Sequence, residues 1–207
     1  MINVLIVEDS RITREAFERQ LAAMPDYCVA ASIENAANAE IVCLSQKIDL
    51  ILMDICTADD ESGLRAAEKI KKSHPHIKII IMTSMPENSF LRKARDSGSD
   101  SFWYKELGDI TLPEICEKTM RGDFVWPDAA PTVKIGAVRS DDFTARELDV
   151  IRALAGGGRY EEIAAALRVS TNTIKYHVKN ILQKTGFRTV TQLGAEVVEK
   201  RLILPKY

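Results

Sequence analysis

Residues 47 to 54, Lys47-Ile-Asp-Leu-Ile-Leu-Met-Asp54, decide how this chain reads. Leu50 to Met53 is an uncharged run without polar alternation, which suits a strand covered on both faces, as in a parallel sheet flanked by helices. Asp54 then stands at the strand's carboxyl end, where open α/β sheets bind their ligands. A second apolar run, Val4 to Val7, stops in the same way at Glu8-Asp9. Two buried strands ending in acid bring three carboxylates into one crevice, where like charges repel unless a divalent cation offsets them. Either acidic end alone is as readily a plain strand terminus. Two further strand ends shift the balance: Lys78 to Met82 leads into Thr83-Ser84, and Ser101-Phe-Trp-Tyr104 leads into Lys105. A hydroxyl and an ammonium are what a doubly charged anion on Asp54 would need around it.

Working outward, a length of 207 residues suits one or two domains, each able to bury its own core. No apolar run is long enough to span a bilayer, and Met1 leads straight into a strand rather than a signal peptide, so a cytoplasmic protein with no membrane partner is expected. Cys28, Cys43, Cys56 and Cys116 lack metal-ligand spacing and are expected as thiols. His74-Pro75-His76 reads as an exposed turn. The near-neutral total charge hides two halves of opposite sign. Residues 1–139 carry 17 Lys+Arg and 22 Asp+Glu, whereas residues 140–207 carry 11 and 8. An acidic regulatory part joined to a part that meets a polyanion fits that asymmetry.

The first part alternates strand and helix signals. A helix is expected over Ser10 to Met24 with Ile12, Ala16 and Leu21 apolar, a strand over Tyr27 to Ser32, and a helix over Asn35 to Gln46 carrying Ala36, Ala39, Ile41, Val42 and Leu44. Helices are also expected before His74, from Glu87 to Ser97, and from Leu112 to Arg121, the last opened by a Thr111-Leu-Pro-Glu114 capping box. Five strands alternating with five helices make one doubly wound α/β unit, residues 1–122. Residues 123–142, with Pro127, Pro131 and Gly136, break both periodicities and read as a linker.

Residues 143–207 read as all-helical. Thr144-Ala-Arg-Glu147 is a second capping box, and Gly156-Gly-Gly158 ends that helix. Tyr160 to Leu167 is a short helix, Arg168-Val-Ser170 a tight turn, Thr171 to Thr185 a third helix, and Thr189 to Lys200 a fourth. Two helices joined by so short a turn suit a helix-turn-helix, whose second helix enters the major groove. In that third helix Ile174, Val178, Ile181 and Leu182 fall on one face. Asn172, Lys175, Tyr176 and Lys179 fall largely on another, which by itself is equally an ordinary solvated face.

Glu8-Asp9, Asp54, Thr83 and Lys105, in that order and spacing, resemble the receiver domain of bacterial two-component response regulators. The resemblance implies the flavodoxin-like strand order 2-1-3-4-5. It implies that Asp54 accepts a phosphoryl group from a sensor histidine kinase, and that Mg²⁺ is held by Asp9, Asp54 and the backbone carbonyl of Cys56, with Glu8 acting through water. It implies that Thr83 and Lys105 contact the phosphoryl oxygens and that Phe102 is the aromatic switch. The chain departs from the family in the loop after Asp54, where Thr57-Ala58 replaces the usual Met-Pro and Gly63 comes one place late. The extra acids Asp59, Asp60 and Glu61 either lower phosphoryl affinity or form a solvated turn.

Phe143-Thr-Ala-Arg-Glu147, Glu162-Ile-Ala164, Val169-Ser170 and Thr173-Ile-Lys-Tyr-His177 with Asn180-Ile181 resemble the LuxR-type domain of the NarL/FixJ subgroup. That implies that Lys175, Tyr176 and Lys179, beside Asn172, reach bases or phosphates of double-stranded DNA, with Thr171 and Thr173 anchoring the backbone. It also implies a homodimer through the last helix. The expected protein is a transcription regulator, not an enzyme, in which phosphorylation frees the recognition helix. The alternatives are a phosphorylation-independent DNA binder with a vestigial pocket, and a phosphohydrolase using Asp54 as nucleophile. The latter is disfavoured by Cys56 standing where a second acid belongs.

Overall fold

The computed structural model describes residues 1–60, 62–105, 110–200 and 202–203. Five parallel strands, β1 (Ile2–Val7), β2 (Tyr27–Ile33), β3 (Leu50–Asp54), β4 (Lys78–Thr83) and β5 (Ser101–Tyr104), form one sheet in the order β2-β1-β3-β4-β5. The missing polar alternation has its cause in the two cores that sandwich the sheet. Leu5, Val7, Ile51, Met53, Ile79, Ile81 and Phe102 face one way, and Val4, Ile6, Leu50, Leu52, Ile80, Met82 and Trp103 face the other. Successive side chains of each strand thus enter opposite cores. Removing an aliphatic or aromatic side chain of this size from water contributes roughly 1.5–3 kcal/mol.

The helices α1 (Arg11–Ala22), α2 (Ala39–Ser45), α3 (Gly63–Ser73), α4 (Asn88–Asp96) and α5 (Leu112–Arg121) cover the two faces. Phe17 and Leu21 of α1 and Leu112, Ile115 and Cys116 of α5 fill one core, and Ala39, Cys43, Ala67, Ile70, Leu91 and Ala94 fill the other. Two helix faces differ from the sequence expectation. Ile12 is 80% exposed, because the buried pair Phe17 and Leu21 sets the inner face of α1 and a residue five places before Phe17 points away from it. In α2 the sheet accepts the small Ala39 and Cys43, which leaves Ile41 (64%) and Leu44 (73%) outside. The expected single helix over Asn35 to Gln46 is a 3₁₀ turn, Ala36–Asn38, followed by α2.

The chain divides into two units between Ala130 and Pro131. Residues 123–142, expected as linker, are shared between them. The Phe102 N–H donates to the Val125 carbonyl (2.8 Å), and Trp126 packs on the first core. Lys134–Ile135 (β6) and Val138–Arg139 (β7) form an antiparallel hairpin in the second unit, with Ile135 buried in its core. Proline and glycine conceal the pairing, since each strand is only two residues long. Gly136 is required at the bend: its φ is 57°, and a Cβ there would lie 2.2 Å from the Thr185 carbonyl oxygen.

Helices α6 (Ala145–Ala155), α7 (Tyr160–Ala166), α8 (Thr171–Thr185) and α9 (Val190–Glu199) complete the second unit around Val150, Ile151, Ile163, Ile174, Val178, Ile181, Leu193 and Val197. Thr144 and Glu147 form the expected capping box, and Ser170 caps α8 by accepting from the Thr173 N–H at 3.1 Å. Glu147 also accepts from the Lys184 ammonium at 2.7 Å. Burial works to raise the Glu147 carboxyl, but the hydrogen bonds from Lys184 and Thr144 and the charge of Lys184 outweigh it and hold it below the ordinary value. Among the described residues, no helix is long and apolar enough to cross a membrane.

Two expected outcomes follow from this packing. A Cβ at residue 63 would stand 1.8 Å from the Asp54 carbonyl oxygen. Gly63→Ala must therefore displace the end of β3, and urea unfolding should show a loss of about 2 kcal/mol or more; an unchanged midpoint would contradict the close approach. Because the folded Glu147 carboxyl is depressed, its contribution is present above the unfolded value and fades as pH falls through the folded one. Glu147→Gln should cost about 1 kcal/mol near neutral pH, with the difference from wild type shrinking as pH falls below the ordinary carboxylate range, when unfolding is followed by circular dichroism.

Candidate functional site

Parallel register brings the strand ends level. Val7 pairs with Met53, Asp54 with Met82, and Thr83 with Tyr104. Glu8, Asp54, Thr83 and Lys105 therefore arrive together at one end of the sheet. Ligand oxygens of Glu8, Asp9 and Asp54 lie within 4.8 Å of one another; Glu8 and Asp54 are buried and Asp9 is exposed. The Lys105 ammonium pairs with Glu8 and lies 3.0 Å from Asp54 Oδ1. Its backbone N–H donates to the Thr83 carbonyl at 3.0 Å, which ties the ends of β4 and β5. The Thr83 hydroxyl, also buried, accepts from the Met85 N–H at 3.1 Å.

One ammonium faces three carboxylates, so the pocket is short of positive charge. Burial, with the charges of Glu8 and Asp9, holds the Asp54 carboxyl above the ordinary carboxylate range, and the Lys105 ammonium pulls it back only in part. Burial acts to lower the Lys105 ammonium, but Asp54 and Glu8 outweigh it and raise it, so that lysine stays charged. An all-oxygen donor set with excess negative charge suits a hard divalent cation such as Mg²⁺.

The loop after β3 is fastened sideways to the loop after β2. Thr57 Oγ1 accepts from the Ala36 N–H at 3.0 Å, the Ala58 N–H donates to the Glu34 carbonyl at 3.0 Å, and Asn35 Nδ2 donates to Asp59 Oδ2 at 2.8 Å. Asp59 takes a left-handed conformation, φ 60°, and its carboxylate is exposed. Glu61 and the Asp60 side chain lie outside the described residues. Cys56, two residues past Asp54, is exposed and bridges to Ser62. Phe102 is fully buried in β5, its ring centre 4.9 Å from that of Tyr104.

One contributor to the pocket, and one buried charge at the opposite end of the sheet, escape sequence reasoning. Arg14 on α1 donates to the carbonyls of Glu8 (2.6 Å) and Asp9 (3.0 Å), which fixes the acidic turn. Asp100, before β5, is buried against Lys71 (2.9 Å) and Lys78 (3.1 Å) and accepts from the Ile79 N–H. Neither residue belongs to a local pattern that would single it out.

In the second unit, α7 and α8 are joined through Leu167 to Ser170, with Arg168 at φ 54°. Ile174, Val178 and Ile181 turn inward; Asn172, Lys175, Tyr176 and Lys179 are exposed, Tyr176 by 63%. Thr171 and Thr173 are half-buried at the helix N-terminus, and the Thr173 hydroxyl shares a hydrogen bond with Ser170 Oγ at 2.8 Å. The His177 ring is half-buried against Tyr176 at 6.0 Å. This is a helix-turn-helix presenting two lysines, an amide and a phenol on one exposed surface.

Comparison with known proteins agrees with both units. Residues 4–117 match the response regulator receiver domain family, and residues 141–195 match the bacterial regulatory proteins of the luxR family. The response regulator protein VraR of Staphylococcus saprophyticus is 32% identical over 208 residues, covering 98% of this chain and 99% of its own length. VraR of Staphylococcus aureus is likewise 32% identical, over 209 residues, with the same coverage. Among solved structures, the response regulator RcsB of Salmonella typhimurium superposes with a TM-score of 0.57 at 20% identity, covering 94% of this chain and 96% of that one. RcsB from Salmonella enterica serovar Typhimurium bound to promoter rprA in the presence of the phosphomimetic BeF₃⁻ gives 0.56 at 21%, covering 95% and 98%. At these identities the structural likeness establishes the fold, and the family rests on the sequence matches. The chain belongs to the two-component response regulators, with a receiver domain followed by a LuxR-type DNA-binding domain, and is a transcription regulator rather than an enzyme.

Proposed function

We propose that Asp54 is the phosphoacceptor and that its modification controls DNA binding by α8. The carrying observation is the convergence of Glu8, Asp9, Asp54, Thr83 and Lys105 at one end of the sheet. An Asp54 carboxylate oxygen attacks phosphorus in a kinase phosphohistidine. The P–N bond breaks, its electron pair stays on the histidine nitrogen, which is protonated, and an aspartyl phosphate forms. Lys105 would neutralise charge on the attacking and transferred oxygens, and the Thr83 hydroxyl, which accepts from the Met85 N–H, has its own proton to donate to a phosphoryl oxygen. Asp9, Asp54 and the Cys56 carbonyl, with Glu8 through water, are the residues that would hold Mg²⁺. When bound, the ion would supply positive charge to offset that of the carboxylates and of an incoming phosphoryl group.

In the second unit, Lys175, Tyr176, Lys179 and Asn172 would meet base edges or phosphates in the major groove, with Thr171 and Thr173 anchoring the backbone. A homodimer formed through α9 would set the spacing of two half-sites. A soluble cytoplasmic regulator, addressed by a membrane or soluble histidine kinase, fits this reading. The phosphorylation-independent alternative is disfavoured by a pocket in which Glu8, Asp9 and Asp54 cluster and Lys105 is paired with both buried acids.

With acetyl phosphate and Mg²⁺, the wild-type chain should be phosphorylated, and Asp54→Asn should not, as read on phosphate-retarding gels. Equal retardation of both would sink the assignment. Lys175→Ala and Lys179→Ala should each weaken binding to target DNA and, where the ammonium meets a phosphate, reduce the slope of log affinity against log salt by about 1. Tyr176→Ala should instead relax sequence preference by about 1–3 kcal/mol at one position. Fluorescence anisotropy over a salt series separates the two effects, and unchanged affinity in all three variants would remove α8 from the interface.

A further inference from the structure

The outer edge of β5 is met by the chain's own Val125 and Trp126. Phe102 donates its N–H to the Val125 carbonyl at 2.8 Å, and the Val125 N–H donates to Ser101 Oγ at 3.0 Å. Trp126 sets its ring centre 6.3 Å from that of Phe102, and the Arg95 guanidinium of α4 lies 5.0 Å over the Trp126 ring. Lys78 at the foot of β4 lies 4.6 Å over the Phe124 ring. The segment thus grips β4, β5 and α4 through two hydrogen bonds, one ring pair and two cation–ring contacts. An edge strand needs cover, so part of this is structural.

The other end of the same row reaches the acidic pocket. Tyr104 pairs with Thr83 across the ladder and meets Phe102 edge-on at 4.9 Å. The Tyr104 hydroxyl is buried and has no hydrogen-bond partner among the described residues. A buried unpaired hydroxyl is costly, so any rearrangement that pairs it is favoured. Thr83 and Tyr104 are ladder neighbours, and the rings of Tyr104, Phe102 and Trp126 follow one another, so a row of neighbours leads from the pocket to residues 125–126.

We infer that residues 123–126 are a strap whose hold on β5 depends on the state of Asp54. This rests on the phosphoacceptor reading above. When the Thr83 side chain is drawn toward the pocket to donate its proton to a phosphoryl oxygen, Tyr104 and Phe102 repack. The ring seat of Trp126 then changes, and the Phe102–Val125 hydrogen bond opens more often. The change is released into the one covalent connection to the DNA-binding domain.

Amide hydrogen exchange of the full chain, resolved by peptide mass spectrometry with and without beryllofluoride plus Mg²⁺, tests this. Peptides spanning 54–58 report whether the pocket binds the phosphoryl mimic, and peptides spanning 101–104 and 123–127 report the strap. The expected result is slowed exchange at 54–58 together with exchange about tenfold faster at Phe102 and residues 123–127, both absent in Asp54→Asn. Trp126→Ala should reproduce the fast strap exchange without the mimic, while 54–58 still responds to it. Slowed exchange at 54–58 with an unchanged strap would overturn the inference and leave the phosphoacceptor reading standing. No response at 54–58 would overturn both.

Discussion

Everything in the first unit depends on an electrostatic opposition at the carboxyl end of the sheet. Glu8 and Asp54 are buried within 4.8 Å of each other and of Asp9, with Lys105 paired to both buried acids. Two unit charges at that separation repel by roughly 3 kcal/mol at an effective dielectric of about 20. A core built only for stability would not gather them. The excess negative charge suits a hard divalent cation, and under the proposed function the pocket would receive its anion covalently, on Asp54. Parallel register enforces the arrangement, because strands that end level must deliver their terminal side chains to the same place.

The second unit solves a simpler problem. Its core holds α8 by Ile174, Val178 and Ile181, and the Thr144–Glu147–Lys184 cluster ties the start of α6 to the end of α8. The exposed surface of α8 is thus presented on a helix capped at both ends, by Ser170 and by Gly186 at φ 79°. An exposed helix surface and a polarised pocket are separate devices on one chain. The segment gripping β5 is where the first passes covalently into the second.

The sheet was legible in the sequence because fully buried strands leave unbroken apolar runs, and the pocket because strand ends are fixed once the runs are found. The recognition helix was legible for the converse reason: buried and exposed residues alternate on it at helical spacing. What stayed hidden depends on partners distant in sequence. Ile41 and Leu44 look like core until Ala39 and Cys43 are seen to be the residues the sheet can accommodate. Arg14, Asp100 and Trp126 act through backbone carbonyls, lysines and rings that no local pattern connects to them. The β6–β7 hairpin is too short to carry a period, and its necessity appears only where Gly136 meets the Thr185 carbonyl.

The most direct test of the central claim is chemical. Phosphorylated wild-type chain, reduced with borohydride and mapped by peptide mass spectrometry, should carry homoserine at position 54, the reduction product of an aspartyl phosphate, with none at Glu8 or Asp9 converted likewise. Reduction products at another carboxylate, or none at all in chain shown to have taken up phosphate, would contradict the account of a single reactive oxygen at the end of β3.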